Sequence, residues 1–138
     1  LTEELLDRLL ASASIEQYLD EGLVSARTLT DYLFDRMEAH DLRRADVVRA
    51  SGLNATVVYD IFSGKSRPGR DHAIMLAFGL KCTLRETQRL LRLAGVSELW
   101  CKQRRDAIII WCIRNGFDRI ATDDELYRMG EATLLPAD

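Results

Sequence analysis

Between Leu42 and Pro68 the chain reads LRRADVVRASGLNATVVYDIFSGKSRP, two short apolar-faced stretches separated by Gly52-Leu53-Asn54. Few arrangements satisfy that pattern. Leu42, Val47 and Val48 share one face at helical spacing. Gly52 comes next, where a left-handed or closely approached backbone favours a residue without a side chain. Leu53 can plug the turn. Asn54 can cap a second helix by accepting from a free backbone N–H. The spacing predicts that helix over Ala55–Phe62, with Val58 and Ile61 inward and Val57 at the boundary. Ala55, Thr56, Tyr59 and Asp60 then face outward, and Phe62 is expected either exposed or packed under the next loop. Ser63 and Gly64 end the helix, with Pro68 beyond them.

Charge gathers on the same stretch. From 42 to 70 six basic residues (Arg43, Arg44, Arg49, Lys65, Arg67, Arg70) meet two acidic ones (Asp46, Asp60), while the whole chain of 138 residues is net -3. A helix that enters a nucleic-acid groove needs small or polar groups near its amino end and cations beside it. Ala55 and Thr56 meet the first need. Lys65, Arg67 and Arg70 after the helix, with Arg43 and Arg44 before it, meet the second.

In its order of elements this region resembles the helix-turn-helix of the Cro and lambda-repressor-like (XRE) family. The matching parts are the helix opening at Arg43-Arg44, the Gly52-Leu53-Asn54 turn, the Ala55–Phe62 helix and Ser63-Gly64-Lys65. The resemblance implies a five-helix bundle over residues 29–95, about half the chain. It implies base reading by Ala55, Thr56 and Tyr59 and backbone contact by Arg44. With the basic residues above, the phosphate-contacting set is Arg43, Arg44, Lys65, Arg67 and Arg70. The sequence departs from the family pattern at Val48, where a small alanine is usual, at Asp60 and at Phe62.

Helical periodicity continues on both sides, so the expected fold is all-α. It consists of the lambda-repressor-like bundle, extra N-terminal helices in residues 1–28 and a C-terminal helical hairpin in 96–138. Leu5, Leu6, Leu9 and Leu10 form an apolar stripe, and Ile15, Tyr18 and Leu19 a second short helix ending at Gly22. Arg27–Asp41 reads as the first helix of the bundle, with Leu29, Leu33, Met37 and Phe34 on its apolar face. Ile74, Ala77 and Phe78 mark another helix, stopped by Gly79. Thr83 and Glu86 form a capping box for the next, which buries Leu84, Leu90, Leu91 and Leu93 and carries Arg85, Arg89 and Arg92 outside. Arg104–Asn115 and a segment opened by a Thr122–Glu125 capping box make the hairpin, with apolar Ile108, Ile109, Trp111, Cys112, Ile113, Leu126, Tyr127 and Met129. These terminal helices either complete one core or pair two copies in a homodimer.

Other classes find little support. Motifs for a nucleophile elbow, a phosphate loop or a zinc protease are missing, so no enzyme is expected. His40 and His72 are too sparse for a metal cluster, and no cofactor is expected. Cys82, Cys101 and Cys112 form no CxxC pair and adjoin apolar residues, which predicts buried, reduced thiols. The longest apolar run, Ala107–Ile113, is too short to span a bilayer. The opening LTEELLDRLL is acidic and amphipathic, unlike a secretory signal, so a cytoplasmic protein is expected. The expected function is a sequence-specific double-stranded DNA-binding transcriptional regulator. The alternative is a non-enzymatic adaptor that meets a protein partner on the same scaffold, for which Asp60 and an exposed Phe62 would speak.

Overall fold

A computed structural model describes residues 2–20 and 28–136. Gly22 and Arg27 lie outside the described residues. Among the described residues the fold is all-α, with no strand, and no helix is long and apolar enough to cross a membrane. The helices are α1 (Thr2–Ala11), α2 (Ile15–Asp20), α3 (Leu29–Ala39), α4 (Arg44–Ser51), α5 (Ala55–Phe62), α6 (Arg70–Gly79), α7 (Leu84–Leu93), α8 (Arg104–Arg114) and α9 (Arg119–Arg128).

The core gathers around α6. Ala73, Ile74, Met75, Leu76 and Ala77 are all buried, so this helix is enclosed rather than one-sided. Helices α4, α7 and α9 pack on it, and α3 packs against α5 and α7. Gly79 permits the closest of these contacts. A Cβ there would lie 2.9 Å from Ser51 Cβ and 2.9 Å from the Val47 carbonyl oxygen. The helix ends at Gly79 as expected, and the same residue also lets α4 and α6 approach closely. The chain reverses beyond it, at Lys81, whose φ is +57°.

Local capping signals place the helix starts. Thr28 accepts from Asp31 N–H, Asn54 from Val57 N–H, and Thr83 from Glu86 N–H. Glu86 has a second role: it accepts from Thr83 N–H at 2.9 Å, pairs with Arg36 of α3 and meets His40 Nε2 at 3.3 Å. Burial alone would raise this carboxyl, but those donors hold it below its ordinary value.

Several expectations change on packing. In α3, Tyr32 is buried, and Phe34, at 45 % exposed, is not part of the core. In α9 the start is Asp118, which accepts from Ala121 N–H. Thr122 is thus one turn inside the helix and buried, and no capping box opens there. Trp111 and Tyr127 point outward rather than into the hairpin. Cys101 is exposed, contrary to the expected buried thiol, whereas Cys112 is buried. Burial pushes the Cys82 thiol up to about 12.

The segment after Gly95 joins the main core, because Leu99, Ile109, Leu126 and Leu134 belong to the same buried cluster as Leu33, Val58 and Leu76. Polar ties reinforce the junction. Gln88 donates to the Leu99 carbonyl at 2.8 Å and accepts its N–H at 2.7 Å. By contrast, α1 buries no residue.

Candidate nucleic-acid interface

Helix α5 is short and two-sided. Val58, Ile61 and Phe62 are buried, whereas Ala55, Thr56 and Tyr59 are exposed and Val57 and Asp60 are half-buried. The sequence folds this way because Asn54 ties off the helix start through a 2.9 Å bond from Val57 N–H. At its other end the Lys65 and Ser66 N–H groups donate to the Asp60 carbonyl at 2.9 and 3.2 Å. Phe62 takes the packed alternative, edge-on to Phe34 with ring centroids 5.3 Å apart.

The turn before α5 is a tight one. Gly52 has φ +82°, and Leu53 is buried beneath it, its N–H donating to Ser51 Oγ at 3.2 Å. Gly52 also has a close neighbour. A Cβ there would meet Arg119 Nε at 2.7 Å. Arg119 is itself buried and pairs with Asp123 at 2.8 Å. Asp123 in turn accepts the Leu134 N–H at 2.6 Å and the Leu135 N–H at 3.2 Å. The C-terminal segment therefore backs the turn that aims α5. Sequence reading missed this chain of contacts. Its one local trace is the four-residue spacing of Arg119 and Asp123, which suits a helical ion pair.

The cations divide into two groups. Arg44 lies with its guanidinium carbon 5.0 Å from the centre of the Tyr59 ring, so α4 and α5 share one exposed face there. Arg43 is exposed at the start of α4, and its N–H donates to Asp46 at 2.9 Å. That N–H, aided by the Arg49 guanidinium, holds the Asp46 carboxyl below its ordinary value. Lys65 and Arg67 are exposed, and the Arg67 guanidinium lies beside Gly95.

Arg70 is placed otherwise than expected. Its Nη1 and Nη2 donate to Asp106 Oδ1 and Oδ2 at 3.0 and 2.7 Å, and Nε and Nη2 reach the Ser97 and Glu98 carbonyls at 3.0 Å. With four bonds inside the protein, Arg70 serves the junction with α8 and leaves the phosphate-contacting set. Beside it Arg105 grips Asp71 in the same two-pronged way, at 2.9 and 3.0 Å.

The arrangement presents a small-residue helix start (Ala55, Thr56), an aromatic ring stacked under a guanidinium and cations at both ends of the two-helix unit. Such a surface can lie against a polyanion by charge and offer a hydroxyl and a phenol for hydrogen bonding. No protein-family model, curated protein or solved structure matches this chain.

Proposed function

We propose that the chain is a sequence-specific double-stranded DNA-binding regulator built on a lambda-repressor-like helix-turn-helix, in which α5 lies in the major groove. The observation that carries this reading is the outward face of α5. Ala55, Thr56 and Tyr59 are free of the core while Val58, Ile61 and Phe62 anchor the opposite side. Thr56 and Tyr59 read base edges, and Ala55 lets the backbone come close. Arg43, Arg44, Lys65 and Arg67 hold phosphates. None of these four forms an ion pair among the described residues.

Selection from a random duplex library, followed by fluorescence polarisation over a salt series, tests the reading. Thr56→Ala and Tyr59→Ala change the ranking of sequences, with discrimination falling by about 1–3 kcal/mol at the affected position. Lys65→Ala and Arg67→Ala weaken all duplexes alike and lower the salt slope by about one per phosphate contact. Failure to enrich any sequence, with all four variants alike, overturns it.

The second reading is a protein-interaction adaptor. Asp60, half-exposed on the flank of the α5 face, favours it because a carboxylate there is repelled by phosphate. An exposed Phe62 would have supported it too, but that ring is 2 % exposed. Under this reading the same selection recovers no operator, and Asp60→Lys releases a co-purifying protein.

A further inference from the structure

Among the described residues eight arginines hold a carboxylate, whereas Arg43, Arg44, Arg67, Arg85, Arg89 and Arg114 form no ion pair. Arg43, Arg44 and Arg67 flank α4 and α5 and hold phosphates in the proposed reading. Arg85 and Arg89 stand one turn apart on α7, both exposed.

Such a row destabilises its own helix. Arg85, Arg89 and Arg92 share one face at i, i+4 and i+7, where like charges repel. Glu86, the acidic residue of α7, is turned away toward Arg36 and His40. Arg92 meets Glu98 only at 3.4 Å and stays 65 % exposed. Leu90 and Leu91 bury the opposite face, so the arginines stand outward.

The row leads back to α5. Gly95 follows α7, and its N–H donates to the Arg92 carbonyl at 3.0 Å. Arg67, from the loop after α5, lays its guanidinium against that glycine: a Cβ there would lie 3.7 Å from Nη2 and 3.9 Å from Cζ and Nη1. Arg67 therefore stands at the end of α7 from which Arg92, Arg89 and Arg85 recede. The helix rise puts Arg85 and Arg92 about 10 Å apart, the axial length of about three phosphates in one DNA strand.

We infer that a duplex entered by α5 also runs along α7, where Arg89 and Arg85 hold phosphates of the flank beyond Arg67. This rests on the proposed reading of α5. The contacts lengthen the footprint and strengthen binding, and they leave the preferred sequence unchanged, because phosphates carry no base identity.

Fluorescence polarisation tests it with the selected duplex in two forms, one ending at the α5 site and one extended by a helical turn on each side. Arg85→Gln/Arg89→Gln weakens the extended duplex about tenfold or more at about 0.1 M salt and lowers its salt slope by about two. The short duplex and the ranking of sequences stay unchanged. Arg85→Lys/Arg89→Lys keeps the slope, since lysine serves a phosphate as a point charge. Circular dichroism confirms that both variants stay folded. Hydroxyl-radical footprinting shows protection past the α5 site that the glutamine variant loses. If the unaltered chain ranks sequences but the glutamine variant leaves affinity, slope and footprint of the extended duplex untouched, the α7 contact is overturned and the α5 reading survives. Equal weakening of the short and extended duplexes overturns it too, because the row would then act within the α5 site. If the unaltered chain prefers no duplex, both fall.

Discussion

At Gly79 the backbone of α6 comes so near α4 that no side chain fits between them. The atoms in the way are the Val47 carbonyl and Ser51 Cβ, which belong to a helix and cannot swing aside. Gly79→Ala should therefore lower stability by about 1–3 kcal/mol through overpacking, read from the urea midpoint at unchanged slope. A fall smaller than the scatter of the measurement would show that the two helices have room to part. This glycine was visible in the sequence, but its purpose was not, since a stop and a close contact leave the same letter. Asn54 was the opposite case. A capping side chain acts on a backbone N–H three residues away, so its role could be read locally and the 2.9 Å bond to Val57 matches it. Tyr59 was expected outward and is outward, but its stacking with Arg44 needed α4 and α5 to be placed.

Between elements, two crossed ion pairs tie α6 to α8. Arg70 holds Asp106 and Arg105 holds Asp71, each by two parallel bonds. Asp106 is 5 % exposed in its side chain and also accepts the Trp100 N–H at 3.0 Å. Burial alone would raise its carboxyl; Arg70 and that N–H outweigh burial and leave it below the ordinary carboxylate value. A carboxyl lowered by folding stabilises the native state above its unfolded value, roughly pH 4, and loses that contribution as pH falls through the folded value. Acid unfolding followed by circular dichroism should be shallower below about pH 4 in Asp106→Asn. That variant should also lose about 3 kcal/mol at neutral pH, because Arg70 is left half-buried without its partner. An unchanged acid profile would remove Asp106 from the account. Sequence pattern sees a cation at Arg70 near a basic cluster. It does not see a carboxylate thirty-six residues on.

At the level of the whole molecule, the core does not end where the expected five-helix bundle ends. Leu99, Ile109, Leu126 and Leu134 are buried with the residues of α3 to α7. A chain cut after Gly95 would bare the apolar faces of α6 and α7 that these residues cover. Such a truncation should lose its cooperative thermal transition, measured by circular dichroism against the full chain. A sharp transition at the same temperature would show that the first part folds alone. Most helix positions, the Asn54 and Thr83 caps and the Gly52-Leu53-Asn54 turn could be read from the order of residues, because periodicity and capping act over three or four neighbours, whereas the start of α9 at Asp118 was missed. The same local rules separated Val58 and Ile61 from Thr56 and Tyr59. They also offered the hairpin as the completion of one core, but left dimer pairing equally open. What Arg70 and Arg119 bind, why Gly79 is small and which faces of α1, α8 and α9 stay bare depend on residues far apart in the chain. Distance and burial between such residues exist only once the helices have packed, so no local pattern could announce them.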